Sequence, residues 1–151
     1  MAPTAFSLTS TAFRDGTAIP RRFTCDGENA SPDLRWSGAP EATRALTLLL
    51  IDPDARDFVH WIVYDMTGTP TGGLPTAVSS SPDAPPQGTN SFGARGYGGP
   101  CPPSGEHHYV FTLFALDAPL ELNGAPRLGV VQAAMADHVL ATTTLTGTYH
   151  R

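Results

Sequence analysis

Ala45-Leu46-Thr47-Leu48-Leu49-Leu50-Ile51, followed by Asp52-Pro53, is the stretch on which the fold turns. An apolar run this short, stopped by a proline, suits a strand buried on both faces. It falls far below the ~20 residues of a membrane span. Phe58 to Met66 and His108 to Leu116 are rich in aromatic and β-branched residues and read as central strands. Working outward, Phe6 to Thr9 is a first strand, Ile19 to Thr24 a short extended piece, and Thr142 to Tyr149 a last strand. Arg14-Asp15-Gly16 reads as a turn, and Asp26 to Pro32 is loop chemistry. Leu128, Val131, Met135 and Val139 recur at helical spacing, with Pro126 placed for the first turn. Many strands and one late helix predict a mainly antiparallel β-sandwich with a peripheral helix. Thr67 to Asn90 has no period and reads as a long surface loop.

Composition agrees. The 151 residues suit one domain, 1–151, and fifteen glycines with fifteen prolines argue against a helical bundle. All nine cations are arginine. Without lysine there is neither a Walker A loop nor Schiff-base chemistry. A net charge of −5 with no basic patch argues against a nucleic-acid partner. No basic segment followed by an apolar one opens the chain, so neither a signal peptide nor stable membrane insertion is expected, and the cytoplasm is the expected location. In a reducing compartment Cys25 and Cys101 are expected to be thiols. A redox-sensitive bond between them would need Cα atoms within roughly 7 Å.

Chemistry concentrates in two blocks. In Asp52-Pro53-Asp54-Ala55-Arg56-Asp57-Phe58-Val59-His60-Trp61, an extended backbone would point the Asp52 and Asp54 carboxylates to one side. Alternation would set His60, Ile62 and Tyr64 on one face and Trp61 and Val63 on the other. Two carboxylates beside His60 should raise its pKa. The second block runs from Gly93 through Gly98-Gly99-Pro100-Cys101-Pro102-Pro103 to His107-His108-Tyr109. Its glycines would let backbone N–H groups form an anion nest, with His107 and Tyr109 facing one pocket and His108 facing away.

In this order the two blocks resemble the phosphatidylethanolamine-binding protein family, in particular its prokaryotic Raf kinase inhibitor-like branch. Ile19-Pro20, Thr24-Cys25-Asp26-Gly27, Ser31-Pro32, Leu34 to Pro40, Phe114 to Asp117 and Gly147-Thr148-Tyr149 carry the likeness along nearly the whole chain. The resemblance implies a β-sandwich of two sheets, with one or two peripheral helices near the C-terminus and a small pocket for phosphate-like groups. By motif, Asp52, Asp54, His60, Pro103, His107 and Tyr109 would line that pocket, with the Gly98, Gly99 and Cys101 backbone. Phe58 and Arg56 would sit at its rim. Arg56 replaces the proline of the family's DPDAP motif and reads better as a solvated rim charge than as a ligand contact.

The expected function is a non-enzymatic binding protein for a small anionic or phosphorylated ligand, a phospholipid head group included, with no cofactor. An interaction protein of the kinase- or protease-inhibitor type is the alternative. A hydrolase or metalloenzyme using Asp52, Asp54, His60 and His107 is disfavoured, because no activated nucleophile or zinc spacing is evident. A protein partner is an open expectation, and likeness to prokaryotic relatives adds a homodimer.

Overall fold

The computed structural model describes residues 5–151. Eight strands and one α-helix follow in chain order: β1 (Ser7–Thr9), β2 (Thr17–Ala18), β3 (Leu34–Ser37), β4 (Ala45–Asp52), β5 (Phe58–Thr67), β6 (Gly72–Leu74), β7 (Glu106–Leu116), α1 (Leu128–Met135) and β8 (Val139–His150). They build a three-stranded sheet, β1-β3-β6, and a five-stranded sheet, β2-β8-β7-β4-β5. Every pairing is antiparallel except the two-residue contact of β2 with β8.

The apolar run at 45–51 lies in the middle of the larger sheet, between β5 and β7, which is why it has no polar face. Leu46, Leu48 and Leu50 point inward with Trp61, Val63, Phe111 and Leu113. There they meet Leu8, Leu34, Trp36 and Leu74 of the smaller sheet. Leu49 points to the opposite face with Ile62, Tyr64 and Leu116, under Val131 and Met135 of α1. Each such buried side chain contributes about 1.5–3 kcal/mol of transfer free energy, so both faces of the larger sheet are needed.

Four expectations change. Val139 does not belong to the helix: α1 ends at Met135, Asp137 takes a left-handed φ of 68°, and Val139 starts β8. The 67–90 stretch is not structureless. It contributes β6 and a 3₁₀ turn at Val78–Ser80, then runs along the open edge of β5. Gly88 N–H donates to Ile62 O, Ser91 N–H to Val59 O, and Tyr64 N–H to Pro86 O, so the loop satisfies an edge that would otherwise be bare. Cys25 and Cys101 are not thiols: they form a disulfide, with Cα atoms 5.4 Å apart. The Cys25 N–H donates to Pro100 O, and this bond sets the two segments side by side although 76 positions separate the cysteines.

The fourth concerns Asp52 and Asp54. The backbone is not extended there, because Pro53–Ala55 forms a 3₁₀ turn whose first N–H groups need an acceptor. Asp52 caps it, its Oδ1 accepting from the Asp54 N–H at 2.8 Å. The two carboxylates therefore part company. Arg56 closes the turn in the left-handed region, at φ 54°, a conformation closed to proline.

Candidate functional site

A cavity of about 160 Å³ opens at one end of the larger sheet, where β4 ends and β5 and β7 begin. Asp52, Phe58, His60, Cys101, Pro103, His107 and Tyr109 line it, together with Ala55, Phe92 and Pro102. The structure thus brings most of the expected residues together. It leaves out Asp54, Arg56 and the Gly98-Gly99 backbone.

His60 reaches this cavity through a β-bulge. Leu50 pairs with Trp61 and Ile51 with Val59, so His60 is the extra residue between them. The bulge overturns simple alternation. His60 leaves the face of Ile62 and Tyr64, and its ring lies 5.2 Å from that of Tyr109, on the inward side. Its Nδ1–H donates to Gly98 O at 2.6 Å. That bond fixes the tautomer and leaves Nε2 unpaired in the cavity wall. Burial pushes the His60 pKa down and outweighs the raising effect of the Gly98 carbonyl and of Asp52. The expected rise is corrected on that ground.

His107 sits one strand across, on β7. Its Nδ1–H donates to Asp52 Oδ2 at 2.6 Å, and this carboxylate is almost wholly buried. Asp52 thus holds the turn with one oxygen and orients an imidazole with the other. Tyr109 stands between the two imidazoles, its ring centroid 5.2 Å from His60 and 6.5 Å from His107. Tyr109 is fully buried and its hydroxyl has no partner. Burial, reinforced by Asp52 and Asp54, pushes its pKa far up, so the phenol stays protonated.

Asp54 instead faces solvent beside His108, accepting from its backbone N–H and from Nδ1, both at 2.8 Å. The Asp52, Asp54, His60 and His107 side chains therefore do not make one metal set. Among the described residues, no three His, Cys, Asp or Glu side chains are arranged to hold a metal ion. The expected anion nest is also corrected. Gly98 N–H donates to His60 O and Gly99 N–H to Asn29 Oδ1, so neither is free. These glycines serve close packing: a Cβ on Gly99 would collide with the Phe23 carbonyl, and one on Gly98 with the Phe92 ring. Arg56 is exposed and stands apart from the lining.

Sequence reasoning missed Phe92, whose ring packs edge-on against Phe58 at 4.7 Å and forms an exposed aromatic lip with it. The turn that presents Phe92 is built by the buried Asn90. Its Oδ1 accepts from Phe92 and Ala94 N–H, and its Nδ2 donates to Gly96 O. An isolated Phe in a Ser-Phe-Gly loop carries no periodic signal, and only the Asn-x-x-Gly turn chemistry hinted at it.

The cavity is walled mainly by rings and prolines, contains no arginine, and is smaller than the roughly 300–1,000 Å³ of drug-sized sites. A larger open groove of about 590 Å³ flanks β6, away from these histidines.

Residues 9–150 match the family model described as phosphatidylethanolamine-binding protein. The chain is 44% identical to a UPF0098 protein of Methanothermobacter thermautotrophicus, over 96% of this chain and 99% of that one. It is 45% identical to LppC of Mycobacterium tuberculosis, whose name marks it as a candidate lipoprotein, over 89% of this chain and 67% of that one. Among solved structures it is similar to the CT736 homologue of this family from Chlamydia trachomatis, with TM-score 0.90, 35% identity and coverage of 97% and 98%. It is also similar to E. coli YbcL, a member of the same family, with TM-score 0.86, 31% identity and the same coverage.

Proposed function

The chain belongs to the phosphatidylethanolamine-binding protein family, and from that premise we propose that it is a non-enzymatic binding protein whose cavity takes a phosphate-like anion together with a proton. One observation carries this reading. Two imidazoles line one cavity with both Nδ1–H groups already committed, to Gly98 O and to Asp52. In their neutral forms both Nε2 atoms are hydrogen-bond acceptors. With Asp52 adjacent and no arginine in the wall, an anion has no standing positive partner. Binding therefore requires either protonation of an imidazole or a ligand that brings its own acidic hydrogen. A phosphomonoester supplies either case, its second pKa lying near 6. The cavity volume admits a head group and leaves any acyl chain outside, over the Phe58 and Phe92 lip.

The disulfide bears on location. Such bonds persist in oxidising compartments, and one relative is named as a candidate lipoprotein. An oxidising compartment fits this chain better than the cytoplasm. Among the described residues no helix is long and apolar enough to cross a membrane.

Calorimetric titration with inorganic phosphate and with phosphoethanolamine, at mildly acid and mildly alkaline pH, tests the reading. Saturable binding should tighten at the lower pH and disappear in His60→Ala. Affinity that is flat with pH, or intact in the variant, would remove the proton-coupled site. Preference for phosphoethanolamine would identify a head group as the ligand class over free phosphate.

A further inference from the structure

We propose that the Cys25–Cys101 bond is an exchange site for a small carboxylate-bearing thiol, which enters at Cys25 and releases Cys101 as a thiolate held by Arg151.

The two sulfurs stand in unlike surroundings. Cys25 is exposed, on the loop that follows the 3₁₀ turn at Arg21–Phe23. Cys101 is half-buried and lines the cavity. The Arg151 guanidinium serves Cys101, its Nη1–H directed at Cys101 Sγ from 3.7 Å. Arg151 is fixed in that place. Its backbone N–H donates to Gly105 O, its own carbonyl accepts from Gly105 N–H, and its Nη2 pairs with Asp26 Oδ1 at 3.0 Å. Asp26 is steadied in turn by the Tyr149 hydroxyl, which donates to its Oδ2 at 2.6 Å. A guanidinium beside a sulfur lowers the pKa of the thiol that sulfur becomes, and the thiol of lower pKa leaves faster. Access therefore selects Cys25 for attack, and charge selects Cys101 to leave.

In the step, the external thiol gives its proton to solvent and its sulfur bonds to Cys25 Sγ. The bond between Cys25 and Cys101 breaks, and its electron pair stays on Cys101. The mixed disulfide at Cys25 replaces the internal one, so no further oxidant or reductant is consumed. In reverse, the Cys101 thiolate attacks that mixed disulfide, expels the thiol and closes the clasp. The surroundings also select the thiol. Arg22 pairs with Glu28 and Arg151 with Asp26, whereas Arg21 sends its Nε–H to the Asp26 backbone carbonyl at 2.9 Å. Among the described residues Arg21 has no carboxylate partner, so three guanidinium groups face two carboxylates around Cys25, an excess that attracts an anionic thiol. Opening the bond leaves the 97–101 segment joined to the 23–29 loop by hydrogen bonds alone, from Tyr97 Oη to Phe23 O, Gly99 N–H to Asn29 Oδ1 and Cys25 N–H to Pro100 O. The Gly98 carbonyl that orients His60 lies in that segment, so the exchange reaches the cavity wall.

Incubation in glutathione redox buffers, followed by acid quench, alkylation and peptide mass mapping, tests the site. Trypsin separates the cysteines into peptides 23–35 and 96–127. The mixed disulfide should map to 23–35. Arg151→Met should slow opening about threefold or more with the circular dichroism unchanged, and Arg151→Lys, which keeps the charge, should recover most of the rate. Cysteamine, a cationic thiol, should open the bond more slowly than glutathione at equal thiolate concentration. A bond that stays closed in excess glutathione, a mixed disulfide on 96–127, or a rate indifferent to Arg151→Met would each overturn entry at Cys25. Cysteamine matching glutathione would overturn the choice of an anionic thiol.

Discussion

Tyr109→Phe should raise stability and weaken binding together. The Tyr109 hydroxyl is sealed in the interior without a partner. A buried hydroxyl left unsatisfied costs about 1–3 kcal/mol. Deleting one oxygen removes that cost and leaves the ring, its contacts with His60 and its place opposite Gly147 unchanged. The free variant should gain about 1–2 kcal/mol, which for a chain of this size lifts Tm by roughly 2–8 °C. Binding should move the other way. The Tyr109 ring lines the cavity close to both His60 and His107, and its hydroxyl remains protonated because its pKa is pushed up. An anion that displaces the surrounding rings slightly gains a charge-assisted hydrogen bond, worth about 1.5–3 kcal/mol, so its loss weakens affinity about tenfold to a hundredfold. Scanning calorimetry with and without phosphoethanolamine reads both effects on one sample. A Tm that stays level or falls in the free variant would mean that the hydroxyl already has a partner. Unchanged affinity would remove Tyr109 from the ligand's reach.

The His60 pKa lies below its unfolded value, so the unfolded chain binds the extra proton first. Stability should therefore fall as pH drops through the window from about 6.5 down to the folded pKa, and a His60→Gln chain should show a shallower fall in urea titrations. His108 has the opposite sign: its pairing with Asp54 raises its pKa, so that contribution holds in acid and fades as pH rises above about 6.5. Because Asp54 and His108 are exposed and outside the cavity, Asp54→Asn should change phosphate affinity less than about twofold and leave Tm nearly unchanged. Replacing both cysteines by serine reopens a loop of 76 positions, for which chain entropy alone predicts about 4.5 kcal/mol of lost stability. The wall at Cys101 should loosen with it, and calorimetry should record weaker ligand binding alongside a lower Tm.

Much of the fold was legible because burial on two faces leaves a compositional trace. A short run like Leu48-Leu49-Leu50, stopped by Pro53, suits a strand covered on both sides, and β4 is such a strand. Short strands left no such trace. Gly72-Gly73-Leu74 has neither alternation nor β-branched residues, and it pairs with β3 because glycine lets its backbone lie flat against the Trp36 indole, where a Cβ would clash. The disulfide was hidden for a different reason. Spacing cannot report that Pro100 and Cys25 share a backbone hydrogen bond, and the thiol reading rested on an expected reducing compartment.

The site follows the same division. Residue types were legible: acids, imidazoles and a phenol in two blocks, which the topology brings to one sheet end. Directions were not, because local backbone irregularities decide them. Period-two reasoning holds until a strand gains a residue, and β5 gains one at His60 itself. Without the bulge, His60 would point toward Ile62 and the helix side, and the cavity would keep one imidazole instead of two. The 3₁₀ turn after Asp52 acts likewise, taking Asp54 out and leaving Asp52 alone to orient His107. Both irregularities lie where strands end, where side-chain direction is least constrained by a ladder. A site assembled there depends on bulges and caps that no hydrophobic pattern records.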